Sequence, residues 1–304
     1  MRREQPDFSD PAELGPAALE IIDRALAEDL ASGDVTSRVA VPAEAVARAR
    51  LVAKAPLVVA GLAVAAAALR RLDLAVNVEL LVRDGERVGV GTILARIHGS
   101  ARSILAGERT ALNLLQRMSG VATLSRGFVE AATSDAVAAR RKERAPCRIT
   151  DTRKTMPGLR ALDRYAVRCG GGHNHRNDLG AGVLIKENHI RAAGGITAAI
   201  SAARRHAPHT LRIECEVTDV DELREALAAG ADVVMLDNMD DAAVAEAIAI
   251  TGGRALIEVS GGISEERVAV LAGLGVDLIS VGKLTHSVPA ADISLLFEPP
   301  GGWS

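Results

Sequence analysis

The second half of the chain alternates short apolar runs with helical ones, and no other feature narrows the fold as much. CRITDTRK, GVLIKENH, LRIECEVTD, ADVVMLDN, ALIEVSGG and VDLISVGK read as strands, with helical patterns such as DELREALAAG, DAAVAEAIAI and SEERVAVLAGLG between them. Repeated strand–helix units imply a parallel sheet covered by helices. Two observations favour closure into a barrel. Polar residues recur at the strand ends, at Asp151, Arg153 and Lys154, Lys186 and Asn188, Glu216, Asp237 and Asn238, Ser260 and Gly282, and a barrel points such residues at one mouth. An open dinucleotide-binding sheet needs a GxGxxG turn with a ribose-binding acid after it, whereas GGGHNH has the glycines but neither the register nor that acid.

The first half is more mixed. Glu13 to Leu30 has helical spacing, and EDLASGDVTS stops that helix and is expected to feed a strand. Ala45 to Val59 suggests β structure, Gly61 to Leu72 a helix, and the stretch from Val76 to Gly99 short strands around turns at Asp84-Gly85 and Gly89 to Gly91. Gly107 to Ala132 is a long amphipathic helix with a kink or break expected at Ser119-Gly120, near which a domain boundary is placed. Aromatic residues make up only 2% of the chain, so the core has to be built from Ala, Val, Leu and Ile. The apolar run from Pro56 to Leu69 is interrupted by Gly61 and is shorter than the roughly 20 residues that cross a bilayer, so it reads as a buried helix. MRREQPDF is no signal peptide, and Cys147, Cys169 and Cys215 form no CxxC pair, which points to a reducing, cytoplasmic setting without a membrane partner.

The formal net charge is −3, yet Ala139 to Arg176 holds eleven Lys or Arg against three acids. Local positive charge asks for a local anion. Arg153 and Arg176 supply planar forks for carboxylates, and Lys154 and Lys186 supply point charges, which together suit a polyanionic substrate. Ser260-Gly261-Gly262 ends a strand and opens a helix at Ser264, a backbone nest for phosphate, and Val281-Gly282 leaves the neighbouring strand end uncluttered. A tight turn that merely needs glycine is the plainer alternative.

Glu216 and Asp237 fit Mg²⁺ held jointly with substrate phosphates, with arginine-paired structural acids as the alternative. Glu214 is expected to face the other side of its strand, and Arg140 to Arg144 to form a solvated face. His173 and His175 form an HxH pair, the mark of a metal-dependent barrel hydrolase. Arg176 next to it would repel a metal, which favours His175 as a hydrogen-bond donor to an anion. A nucleic-acid site lacks interleaved aromatics, with only Tyr165 in the basic stretch.

In EDLASGDVTS, GERTALNLLQRMSG, DTRKTMPGLR, CGGGHNHR, LIKENH, IECEV, LDN, SGGI and SVGKLTHS, taken in that order, the chain resembles the quinolinate phosphoribosyltransferases of NAD biosynthesis. The resemblance implies an N-terminal α/β sandwich over 1–119 and an irregular, incomplete α/β barrel over 120–289, with the tail 290–304 packing back on the sandwich. It implies transfer of phosphoribosyl from phosphoribosyl pyrophosphate to quinolinate with decarboxylation, Mg²⁺ as cofactor, and a homodimer. Quinolinate would be held by Thr152, Arg153, His175, Arg176 and Lys186, with Arg109 reaching in from a second copy. Lys154, Glu216 and Asp237 would serve the pyrophosphate and ribosyl region, and Ser260, Gly261, Gly262, Val281, Gly282, Lys283 and His286 the 5′-phosphate.

Overall fold

The computed structural model describes residues 14–141 and 144–299. In chain order the elements are α1 (Pro16–Asp29), α2 (Val35–Ala40), β1 (Val46–Ala53), β2 (Leu57–Val58), α3 (Leu62–Leu72), β3 (Asn77–Leu80), β4 (Arg87–Val88), β5 (Ile93–Ser100) and α4 (Ala101–Thr133). Then follow α5 (Asp135–Arg141), β6 (Arg148–Thr150), α6 (Arg160–Cys169), β7 (Val183–Ile185), α7 (Glu187–Ala193), α8 (Ile196–His206), β8 (Ile213–Val217), α9 (Val220–Ala228), β9 (Val233–Asp237), α10 (Asp241–Thr251), β10 (Leu256–Ser260), α11 (Glu265–Leu274), β11 (Leu278–Ser280), α12 (Lys283–His286) and β12 (Ile293–Phe297). The chain divides into two compact units: 1–126 with 155–171 and 284–304, and 127–154 with 172–283.

The first unit is built on an antiparallel sheet ordered β12-β1-β5-β3. Leu51, Leu94, Ile97 and Ile104 fill its core with Leu62 and Leu69 of α3. The Ala-rich α3 is buried from Leu62 to Leu69, which small side chains permit. Its N-terminus is closed from a distance, because the Asp84 carboxylate accepts the Gly61 and Leu62 amides at 2.7 and 3.2 Å and the Tyr165 hydroxyl at 2.9 Å. The aspartate that looks like a turn former in sequence thus caps a helix 22 residues upstream. Asp163, fully buried, takes a two-pronged bond from Arg117 at 3.0 Å on each arm.

Two expectations for this unit fail. VTSRVA forms α2 and not a strand, because the Asp34 side chain accepts the Ser37 amide and starts a helical turn. And α4 runs unbroken through Ser119-Gly120. Ser119 is buried, its hydroxyl bonded to the Ala60 amide, and Gly120 marks a close approach: a Cβ there would lie 2.2 Å from the Pro289 carbonyl oxygen.

The second unit is a six-stranded parallel sheet ordered β6-β11-β10-β9-β8-β7. That is the cyclic order of a barrel opened between its first and second strands. The gap is bridged in part by His173, whose amide donates to Ile149 and whose carbonyl accepts from Asp151. Alternation along the strands sorts the side chains. Ile185, Cys215, Val217, Val234, Leu236, Ile257, Val259 and Ile279 pack outward under the helices, and Leu184, Lys186, Glu216, Met235, Asp237, Glu258, Ser260 and Ser280 line the inner cavity.

Of the described members of the basic run at 140–144, Arg140 and Arg144 are exposed as expected, and Arg141 is the exception. Arg141 is buried and gives its guanidinium to the carbonyls of Ala145, Ala272 and Val276, Arg144 bonds the Gly275 carbonyl, and Arg140 lies against Gly273. The cations gather at the C-terminal end of α11, where unpaired carbonyls and the helix dipole favour positive charge.

Two glycines of α4 predict opposite responses. Gly120→Ala drives a methyl into backbone and should lower stability by ~1–3 kcal/mol. Gly127→Ala meets only the side-chain end of Glu265 at 3.0 Å or more, and helix propensity should make it neutral or stabilising by up to ~1 kcal/mol. Denaturant midpoints of the two variants against wild type check the pair.

Candidate active site

The inward face of the second unit opens on a cavity of about 640 Å³. Arg153, Lys154, His175, Arg176 and Lys186 line it as cations, with Glu216, Asp237 and Glu258 as acids and the Ser260-Gly261-Gly262 turn at one side. A larger cavity of about 760 Å³ in the first unit is lined mainly by aliphatic side chains with Arg48, His98 and Glu298. Converging charge, not volume, marks the site.

Strand ends place most of these groups. Thr152, Arg153 and Lys154 follow β6, and the Thr152 hydroxyl accepts the Lys154 amide at 3.0 Å. Lys186 follows β7, and its ammonium contacts the Glu216 carboxylate at the end of β8. Asp237 closes β9, its Oδ2 accepting from the Asn238 side chain at 2.9 Å. Gly261 and Gly262 both have positive φ, +91° and +59°, and Ser264 caps α11 just beyond them, so the turn presents backbone amides to the cavity mouth.

Arg176 sits beside Arg153. Burial first, then the Arg153 charge, holds the Arg176 guanidinium below its ordinary pKa. The Arg153 Nε is buried with no hydrogen-bond partner, and one Arg176 nitrogen bonds the Gly182 carbonyl. Two arginines crowded together in a half-buried cavity repel until an anion joins them.

His175 is deeper than expected. Its Nε2 lies 3.3 Å from Glu214 and 3.5 Å from Glu258, and its Nδ1 accepts the Arg176 amide at 2.7 Å. Asp151, fully buried, fastens the same loop through the His175 amide and the Asn174 side chain. Burial opposes a charged His175 ring, but Glu214 and then Glu258 outweigh it and raise the pKa to about 10. The Arg176 amide on Nδ1 works against a second ring proton, while the two carboxylates near Nε2 favour it. Burial in turn raises the pKa of Glu214, with His175 working against it.

Glu214 therefore does not face away from Glu216. Side chains two apart on a strand share a face, so both point inward and Cys215 between them points out. Glu258 was missed, although a lone acid inside the apolar LIEVS strand is a visible signal; Asn238 was expected at the mouth without a role, and it lines the cavity. Among the described residues His175, Glu214 and Glu258 are the group with metal-ligating atoms close together, and His173 is not in it, so the HxH pair does not form the metal site of the alternative hydrolase reading.

Five of the expected contact residues are not among those that line this cavity. Val281 is buried with its amide on the Thr150 carbonyl, Gly282 and Lys283 follow it, and Lys283 and His286 bound the short α12. None of these four lines the cavity, and Arg109 belongs to α4 in the first unit.

The His175 cluster has a pH signature. Its folded pKa lies above the ~6.5 of a free imidazole, so the ring's charge stabilises the fold fully below pH ~6.5 and the effect is lost as pH rises through about 10. His175→Gln should be destabilised at pH 6, with the deficit narrowing by pH 10; a deficit independent of pH in urea unfolding counts against the charged ring.

Comparison with known proteins identifies the family of the chain. The model of the quinolinate phosphoribosyl transferase C-terminal domain matches residues 121–296, and that of the N-terminal domain residues 34–119. The chain is 42% identical over 268 residues to a probable nicotinate-nucleotide pyrophosphorylase (carboxylating) of Bacillus subtilis, covering 88% of this chain and 89% of the relative. It is 42% identical over 285 residues to the nicotinate-nucleotide pyrophosphorylase (carboxylating) of Mycobacterium leprae, covering 92% and 96%. Among solved structures, NadC from Streptococcus pyogenes superposes with a TM-score of 0.86 at 37% identity, covering 94% of this chain and 99% of that one. By both domains and by these relatives, the chain belongs to the quinolinate phosphoribosyl transferase family.

Proposed function

We propose that the chain transfers the phosphoribosyl group of phosphoribosyl pyrophosphate to quinolinate with loss of CO2, forming nicotinate mononucleotide and pyrophosphate in NAD biosynthesis. Family membership sets the reaction class. The observation that carries the site assignment is the crowding of Arg153 and Arg176 in one cavity with Lys154, Lys186, Glu216 and Asp237.

The two carboxylates of quinolinate relieve the repulsion between Arg153 and Arg176, with Lys186, Thr152 and the His175 loop completing the grip. The Ser260–Gly262 turn takes the 5′-phosphate on backbone amides, with Val281, Gly282 and Lys283 after the neighbouring strand β11. Lys154 faces the pyrophosphate. As the bond from ribose C1 to the pyrophosphate oxygen breaks, its electron pair leaves with pyrophosphate, and Lys154 stabilises that charge. Glu216 and Asp237 stabilise the positive charge left on the ribose. The pyridine nitrogen donates its lone pair to C1. The ring, now cationic at nitrogen, accepts the electron pair that stays on C2 when the adjacent carboxylate leaves as CO2, and C2 takes up a proton.

Glu216 and Asp237 are inward carboxylates beside the phosphate turn, an oxygen donor set that fits a hard divalent cation. Mg²⁺ held there would neutralise part of the pyrophosphate charge. A homodimer in which a second copy donates Arg109 completes the proposal.

The direct test is release of CO2 and pyrophosphate from quinolinate and phosphoribosyl pyrophosphate with Mg²⁺, using nicotinate, which lacks the 2-carboxylate, as the silent control. Absence of both products refutes the reading. Arg176→Ala should weaken quinolinate binding by ~2–5 kcal/mol in calorimetry. Mixing inactive Arg109→Ala and Arg153→Ala chains should restore up to about a quarter of wild-type activity, because half the dimers then carry one intact site of two; no recovery after subunit exchange removes Arg109 from the partner's site.

A further inference from the structure

Asn238 is, among the described residues, the one non-glycine with positive φ, at +55°. Asparagine tolerates that left-handed conformation better than most residues, yet it is uncommon, and here it follows directly on Asp237 at the rim of the cavity. Three contacts account for it. The Asn238 side-chain amide donates to Asp237 Oδ2 at 2.9 Å. Its backbone amide donates to the Ser260 carbonyl at 3.0 Å, just past the last paired residues of β9 and β10, Asp237 and Ser260. Its side-chain oxygen lies so close over Gly261 that a Cβ built there would stand 2.1 Å away.

One residue therefore touches both halves of the ribosyl-phosphate region: the carboxylate of Asp237 and the glycine turn that follows β10. Gly261 has φ +91° and no side chain to displace the asparagine. The left-handed turn aims the Asn238 side chain back across Asp237 and Gly261 together, which an extended backbone continuing β9 would not do.

We infer that Asn238 is a positioning residue for the transferase reaction, locking the Asp237 carboxylate to the Ser260–Gly262 turn so that the ribose and its 5′-phosphate are held in one register. This rests on the reading of the cavity given above. Asn238 has no charge to offer the reaction and makes its contribution through Asp237 and Gly261.

The test compares Asn238→Gly and Asn238→Asp with wild type. Glycine keeps the backbone conformation and removes the amide and its contact with Gly261; aspartate keeps size and shape but sets a second carboxylate against Asp237. Steady-state kinetics in phosphoribosyl pyrophosphate should show kcat/KM falling by ~10-fold in Asn238→Gly, the loss of one hydrogen bond, and at least as far in Asn238→Asp. Calorimetric binding of quinolinate should stay at the wild-type value in both, which a general loss of structure would not allow. Wild-type kcat/KM for phosphoribosyl pyrophosphate in both variants, or a matching loss of quinolinate affinity, overturns the assignment. A wild-type protein silent with both substrates overturns the transferase reading and this role with it, whereas an active wild type with unaffected variants overturns the role of Asn238 alone.

Discussion

Charge placed where a barrel usually keeps its aliphatic layers is the constraint on which the second unit depends. The inward positions of β8, β9 and β10 carry Glu214, Glu216, Asp237 and Glu258, and desolvating such groups costs several kcal/mol each unless they find partners. The partners come from chain segments that follow β6 and β7, namely the His175 loop and Lys186. The acids on one side of the sheet and the cations on the other thus hold each other in place, and the outward aliphatic residues do the packing that the interior has given up.

Balance among these charges is incomplete at Arg153 and Arg176. The inner acids engage His175 and Lys186, while Arg176 has the Gly182 carbonyl, a Coulombic pull from Glu214 and the opposing charge of Arg153. Like charges held this close make that part of the cavity electropositive.

Much of this was legible in the sequence because it follows from period. All six parallel strands and the polar residues at their ends fall where the alternation of apolar runs places them, and the glycine pair after β10 marks the turn at the cavity rim. What escaped depends on partners distant in the chain. Arg141 looks like one more surface cation until α11 brings its last carbonyls to it. Ser119-Gly120 has the composition of a helix break, and only the arrival of Pro289 makes it a point of close packing. Glu258 and Asn238 were visible as oddities, an acid in an apolar strand and a residue after a strand-end aspartate, but their meaning needs His175 and Gly261 beside them.

The sheet of the first unit has a consequence for synthesis on the ribosome. β1 pairs with β5, which follows soon after it, and on its other edge with β12, at Ile293–Phe297. While the whole parallel sheet of the second unit is being made, β1 waits with one row of amides and carbonyls unpaired and Leu51 and Ala53 beside it. An exposed strand edge of that kind invites pairing with another chain. The edge stays open from the completion of β5 until β12 emerges, so a chain stalled anywhere in that interval carries the same hazard.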